Sequence, residues 1–133
     1  MEPRLIQIAQ ACSSAAYDGT MNFPTIVRTL GDAGFEGYEV DYRGKTARYY
    51  LRSGACVQVA MPETDASIAA EFSAEAVAEA VREAQTQAPG YTYAGFCSKV
   101  KQAGCAGYIV SFLGKRVVYF GRTAELHVEH FPS

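Results

Sequence analysis

The sequence has few of the side chains that hold metal ions or act as nucleophiles. It has only two histidines, and its four cysteines, Cys12, Cys56, Cys97 and Cys105, form no C-x-x-C pair and have no histidine beside them. Zinc sites need such spacing, so none is predicted. The Walker sequence, the G-x-S-x-G elbow and the H-E-x-x-H pair are also missing. We therefore expect no metal site and no cofactor.

Long apolar runs and an excess of one charge are missing as well. No run approaches the roughly 18 to 20 residues of a membrane span, and the first residues lack the apolar stretch of a secretion signal. The net charge is −2, without the basic excess typical of nucleic-acid binding. A nucleic-acid surface would have to gather Lys99, Lys101, Lys115, Arg116 and Arg122. We expect a soluble, cytoplasmic protein that binds neither membranes nor nucleic acid.

What is present is ordinary globular composition. Of the 133 residues, 49% are hydrophobic and 20% are charged, which excludes disorder, collagen and coiled coil as the main state. The length matches one domain, so residues 1–133 are predicted to form a single domain.

The chain contains an internal repeat with an offset of 70 residues. Residues 20–52 align with residues 90–122 without a gap, and nine of the 33 positions are identical. The identities include Gly34/Gly104, Gly37/Gly107, Tyr38/Tyr108 and Tyr49/Tyr119. Self-similarity of this kind fixes the architecture before any single motif is considered.

Each copy predicts a helix followed by a β-hairpin. Asn22 and Thr92 are predicted N-caps, and apolar residues then recur at helical spacing until Gly34 and Gly104 end the helices. Alternating strands follow, with glycine turns at Gly44 and Gly114.

Additional elements complete the predicted architecture. Further helices are predicted at 3–17 and 73–88, third strands at 55–60 and 124–130, and a connecting loop at 61–72 that holds Pro62 and Asp65. The expected fold is α+β: two pseudo-symmetric α-α-β-β-β repeats, at about 3–60 and 73–130, form an antiparallel sheet packed against helices.

The repeat also serves as an internal control on cysteines and glycines. Cys97, Cys105 and Cys56 align with Val27, Phe35 and Leu126. Because buried free cysteine behaves as a small hydrophobe, the cysteines are predicted to be core residues. The glycine-rich segments follow a helix and precede a strand, the reverse of a phosphate-binding loop, so they are interpreted as helix stops and strand entries.

The two hairpins differ in the chemistry of their outer faces. A two-residue turn at Arg43-Gly44 would place Glu39 opposite Arg48, beside Asp41 and Tyr50. In the second copy Ile109 would face Val118, beside Phe120. One interpretation is a solvated edge in the first half and covered strands in the second. The other makes Glu39, Asp41, Arg48 and Tyr50 a polar ligand site and the apolar face a homodimer contact.

The last strand holds both histidines, His127 and His130. If Leu126 and Val128 face the core, His127 and Glu129 point outward as neighbours. They form either a surface pair on an edge strand or part of an acid/base or metal site, whose other members would come from Arg122, Asp41 or Tyr119.

Taken together, these residues resemble a known family. The combination of Gly19-Thr20, Phe23-Pro24, Val40-Asp41-Tyr42, Tyr49-Tyr50, Tyr119-Phe120-Gly121-Arg122 and the closing His127-x-Glu129-x-Phe131-Pro132 is similar to that of YbcV-like proteins. These are small bacterial and phage-associated proteins with a domain of unknown function, sometimes labelled phage envelope proteins. The resemblance implies a compact α+β fold and no established activity.

Two functions are consistent with this sequence. The leading hypothesis is a non-enzymatic cytoplasmic protein, phage- or stress-associated and homodimeric, that binds a small ligand or a protein partner. The alternative is a small hydrolase or isomerase that uses His127 and Glu129, with Arg122 as an anion anchor. The alternative requires a concave pocket that holds all three side chains.

Overall fold

A computed structural model describes residues 1–62 and 66–132. Its elements are α1 (Pro3–Asp18), α2 (Phe23–Asp32), β1 (Phe35–Asp41), β2 (Thr46–Leu51), β3 (Cys56–Ala60), α3 (Ala74–Thr86), α4 (Tyr93–Gln102), β4 (Cys105–Ser111), β5 (Arg116–Gly121) and β6 (Leu126–His130). The order α-α-β-β-β thus occurs twice. Asp65 of the predicted connecting loop lies outside the described residues.

The six strands form one antiparallel sheet in the order β3-β2-β1-β4-β5-β6. The two copies meet at β1 and β4, and β3 and β6 are the edges. The inner face of the sheet is buried under the helices, while outer residues such as Ile109 and Leu126 are exposed. The predicted α+β class, with an antiparallel sheet packed against helices, is confirmed. In the described part of the chain, no helix is both long and apolar enough to cross a membrane.

The repeated helices, α2 and α4, begin and end where the sequence predicts. The backbone N–H of Thr25 donates to the side chain of Asn22 over 3.1 Å, and that of Gly95 donates to Thr92 over 3.0 Å. Each bond satisfies an amide that has no partner within its helix. Gly34 follows α2 with φ +103° and Gly104 follows α4 with φ +91°, a conformation that glycine adopts without steric cost.

The hairpin registers are as predicted, but the turns are not. Glu39 pairs with Arg48 and Ile109 with Val118. The first hairpin closes at Asp41 and Thr46, so its loop holds four residues rather than two. The left-handed φ in this loop belongs to Lys45, not to Gly44. A Cβ on Gly44 would lie 2.7 Å from Oδ2 of Asp41, so this glycine makes room for the aspartate.

Glycines also allow the central strands to approach. A Cβ on Gly37 would lie 2.3 Å from the carbonyl oxygen of Val110, and one on Gly107 would lie 2.3 Å from that of Val40. Each glycine stands at an irregularity in its strand register. The repeated glycines are therefore needed where backbone meets backbone, in agreement with their interpretation as tight strand entries.

The connecting loop packs on the second copy. The backbone N–H of Ala69 donates to the carbonyl of Lys101 over 3.0 Å, and that of Ser73 donates to Ala103 over 2.8 Å. Gly104 lies under this loop, since a Cβ there would be 2.0 Å from the carbonyl oxygen of Glu71. The described part of the loop thus forms a layer over the end of α4.

Candidate ligand-binding site

A cavity of ≈ 430 Å³ lies between the helices and the inner face of the sheet. Its walls come from both copies: the end of α1, the first turns of α2 and α4, the end of α3 and the inner faces of five strands. Phe131 and Pro132, which follow β6, complete the wall. Because both copies contribute in the same way, the cavity lies where the two halves face each other.

Four tyrosines form the sheet side of this cavity. They are Tyr38, Tyr49, Tyr108 and Tyr119. They are two pairs related by the repeat offset, and their side chains point inward because they alternate with outer-face residues along the strands. Tyr38 stacks on Tyr49 with ring centroids 5.2 Å apart, and Tyr108 lies 5.4 Å from Tyr119. The repeat thus builds a largely aromatic wall.

The phenol groups of this wall stay protonated. Burial raises the pKa of Tyr49 to about 12 and raises the pKa values of Tyr38 and Tyr108 well above the ordinary tyrosine value. The Tyr93 and Tyr108 hydroxyl oxygens are hydrogen-bonded at 2.5 Å. The wall is therefore uncharged near neutral pH and offers hydroxyl groups among ring faces.

Aromatic residues also frame the helix side. Phe23 and Tyr93 occupy the same position of the two repeats, at the first turn of α2 and of α4. Phe23 meets Phe131 edge to face at 5.4 Å, and Tyr93 meets Tyr17 at 4.9 Å. All four side chains line the cavity.

Glu129 brings a carboxylate to the cavity wall. Its Oε2 lies 2.5 Å from Nε2 of His127, and the two side chains are 26% and 22% exposed. The His127 ring also lies against Tyr119, with centroids 6.5 Å apart. The predicted neighbours are therefore in contact, as a half-buried pair.

The predicted outward orientation of this pair is wrong. His127 is opposite Tyr119 and Glu129 is opposite Val117, and both partners are buried on the inner face. Leu126 and Val128 instead face outward, 61% and 40% exposed. Apolar residues on an edge strand favour the core only weakly, and strand pairing decides which face they occupy.

The third residue of the predicted catalytic group lies elsewhere. Nη1 of Arg122 donates to the carbonyl of Ile68 over 3.2 Å, and the side chain is exposed. Arg122 is not among the residues that line the cavity. The structure thus brings His127 and Glu129 together and leaves Arg122 apart.

The four residues of the predicted polar site share the outer face of the sheet. Tyr50 donates to Oε2 of Glu39 over 3.5 Å, whereas Nε of Arg48 donates to Gln58 over 3.1 Å rather than to Glu39. Asp41 accepts from the backbone N–H of Arg43 over 3.0 Å. None of the four lines the cavity, so they form a surface rather than a concave site.

Three of the four cysteines are core residues, as predicted. Cys12, Cys97 and Cys105 are buried, and burial raises their pKa values, that of Cys105 to about 11. Cys56 is exposed, so the prediction is wrong there: it lies on the outer face of an edge strand. No group of three or more metal-binding side chains occurs among the described residues.

Comparison with known families matches most of this chain. The family model described as Protein of unknown function (DUF1398) covers residues 19–130. The chain belongs to this family. No curated protein matches it. The match begins directly after α1 and includes the other three described helices and all six described strands, so this DUF1398 domain includes the whole sheet and the strand that carries His127 and Glu129.

The sequence alone did not reveal the cavity. Its tyrosines are spaced like ordinary core residues on each strand. The available signal was the repeat itself: large aromatic residues recur at matching positions of both copies, and these positions line the same cavity.

Proposed function

We propose that this protein is a non-enzymatic cytoplasmic binding protein that holds a small, largely apolar ligand between its helices and its sheet. The observation that carries the proposal is the cavity of ≈ 430 Å³ walled by aromatic side chains of both copies. Protein interiors are otherwise close-packed. Ligand pockets are typically apolar clefts of about 300–1,000 Å³ with a few polar groups, which describes this cavity well.

Two substitutions by phenylalanine, each at an alanine of α3, test the proposal. Ala84 of α3 lines the cavity, whereas Ala76 of the same helix is exposed and lies outside it. The neutral dye Nile red should become strongly fluorescent with the wild-type protein. Ala84→Phe should lose most of that binding because the new ring fills the cavity, and Ala76→Phe should retain it. Equal binding by both variants, or none by the wild type, would contradict the proposal.

The enzymatic alternative has one supporting observation. Glu129 lines the cavity and is in contact with His127, so one member of an acid/base pair lies where it would be needed, although His127 itself is not part of the wall. The anion anchor proposed with it, Arg122, lies outside the cavity. We therefore place ligand binding ahead of catalysis.

We also propose that the protein is a homodimer through the apolar half of its outer sheet face. This surface consists of Ile109, Val118, Phe120, Leu126 and Val128. Its counterparts in the first copy include Glu39, Arg48 and Gln58. Since the same fold positions accept polar residues in the first copy, the fold does not require apolar ones in the second. A second copy of the same surface would bury them.

The resemblance to YbcV-like proteins supports the biological part of the proposal. It favours a phage- or stress-associated role in bacteria. Expression of the gene during phage infection or envelope stress, compared with unstressed growth, is the measurement that tests it.

A further inference from the structure

We infer that the ligand is an aromatic cation, a protonated amine carried on an aromatic ring, bound with its ring among the cavity tyrosines and its ammonium group at Glu129. This inference rests on the ligand-binding function proposed above. It adds the charge and the chemical class of the ligand.

The charges around the cavity disfavour an anionic ligand. Asp18 and Glu129 both line it, while no lysine or arginine does so among residues 1–62 and 66–132. His130 also lines the cavity, but its side chain is exposed, so an anionic ligand would be desolvated beside carboxylates with no lysine or arginine to balance its charge. Such burial of an unpaired charge is strongly unfavourable. Fatty acids, phosphate esters and other acidic molecules are thus poor candidates.

The Glu129 carboxylate can accept a further hydrogen bond from a cationic ligand. Its Oε2 binds His127, and Oε1 has no hydrogen-bond partner among the described residues. A carboxylate can accept about four hydrogen bonds, so one pairing leaves room for an ammonium group. The side chain is 26% exposed, and a charge interaction there is stronger than one in open water.

Asp18 contributes differently. Its Oδ1 already accepts from the backbone N–H and the hydroxyl of Thr20, over 3.1 and 2.6 Å. These two bonds hold the carboxylate at the turn that follows α1. Asp18 therefore adds negative potential, and Glu129 is the better direct partner.

The aromatic wall of the cavity can bind both a positive charge and an aromatic ring. Cations are attracted to the faces of tyrosine and phenylalanine rings, and the attraction grows as water is removed. Tyr38, Tyr49 and Tyr119 present such rings from the sheet. The same rings pack against an aromatic ligand through offset or edge-to-face contacts. A molecule with both a ring and a positive charge uses both properties of the wall.

Three matched probes test the inference on the full chain by isothermal titration calorimetry. They are naphthylmethylamine, naphthylmethanol and naphthoate, substituted at the same ring position, so that they differ mainly in charge. We expect the amine to bind about tenfold more tightly than the alcohol, since a charge-assisted hydrogen bond exceeds a neutral one by about that factor. Naphthoate should bind most weakly.

Two variants locate the charge. Glu129→Gln should weaken amine binding about tenfold and leave alcohol binding nearly unchanged, because it removes the charge but keeps the shape. Glu39→Gln, on the outer face, should change neither. Urea unfolding checks that both variants are folded. The comparison of the three probes on the wild-type protein does not depend on the variants.

The outcomes separate this inference from the function on which it rests. If the alcohol or the acid binds as tightly as the amine, the cationic ligand class is wrong while the cavity remains a binding site. If Glu129→Gln and Glu39→Gln weaken the amine equally, the placement at Glu129 is wrong. If none of the three probes binds and Nile red also fails, the binding function itself is overturned.

Discussion

Glu39 and Ile109 occupy the same position of the two repeats and lie directly opposite each other where β1 meets β4. A row of paired residues crosses the whole sheet through them. In strand order the row is Gln58, Arg48, Glu39, Ile109, Val118 and Val128. The outer face thus changes from polar to apolar at the junction of the copies.

This row gives a matched test of the proposed homodimer. Val128 is 40% exposed on β6, and Gln58 is its counterpart on β3. We expect Val128→Glu to weaken the dimer by about 2–4 kcal/mol because it would bury an unpaired charge. Sedimentation equilibrium over a range of concentrations measures the change.

Gln58→Glu is the control for that experiment. It introduces the same charge at the same position of the other copy, which lies outside the proposed dimer surface. The dissociation constant of the dimer should therefore equal that of the wild-type protein. A wild-type protein that sediments as a monomer at every concentration would refute the dimer.

Glycines at the strand junction should tolerate no side chain. A Cβ on Gly107 would lie 2.3 Å from the carbonyl oxygen of Val40 and 2.7 Å from the Phe120 ring. We expect Gly107→Ala to lower the free energy of unfolding by about 2–3 kcal/mol because the paired strands must separate. Urea denaturation followed by circular dichroism measures this loss.

At Gly31, in contrast, we expect an added side chain to stabilise the protein. It lies in the last turn of α2 with nothing within 4 Å of an added Cβ. Gly31→Ala should raise the free energy of unfolding by about 0.5–1 kcal/mol through helix propensity. If both alanine variants behave alike, the close approach at Gly107 is not what the position requires.

Much of the fold could be predicted because the repeat allows every local pattern to be interpreted twice. Asn22 and Thr92, for example, are independent instances of one cap, and both form it. The predicted orientation of the edge strand β6 was wrong because the strand has only five residues. Its apolar residues, taken alone, indicate that they face the core, although they face outward. The repeat held the missing signal: His127 and Glu129 align with Val57 and Val59, which face inward.

The candidate site was harder to predict for a different reason. A cavity is a property of how distant segments fit together. Tyr17, Tyr49 and Tyr119 come from different elements, and each one separately resembles a core residue. Only their placement in three dimensions shows that they leave space between them.

Stability should fall at alkaline pH because buried tyrosines resist ionisation. Burial raises the pKa of Tyr49 to about 12, compared with about 10 for an unfolded chain. The unfolded state therefore loses its proton first, and stability that is fully present below pH about 10 is lost as the pH approaches 12. Tyr49 alone should account for about 2–3 kcal/mol of that loss.

Urea denaturation between about pH 9 and pH 11 measures this dependence. Tyr49→Phe should reduce its slope because the titrating group is removed. An unchanged slope in the variant would show that Tyr49 ionises normally in the folded protein.

The His127–Glu129 pair can be tested as a functional rather than a structural feature. Valines occupy the matching positions of the first copy, Val57 and Val59, and pack inward there. The double variant His127→Val/Glu129→Val should keep the wild-type free energy of unfolding to within about 1 kcal/mol, since replacing both partners of a partly buried polar contact by apolar residues can be nearly neutral.

The same variant should lose its preference for naphthylmethylamine over naphthylmethanol, because the Glu129 carboxylate, the proposed partner of the ammonium group, is gone. Glu129→Val alone is the informative comparison: it leaves His127 half-buried without its partner and should cost more stability than the double variant. A large loss of stability in the double variant, with amine preference intact, would make the pair structural. Preserved stability with lost preference would mean that the second copy departs from the valine pattern for binding.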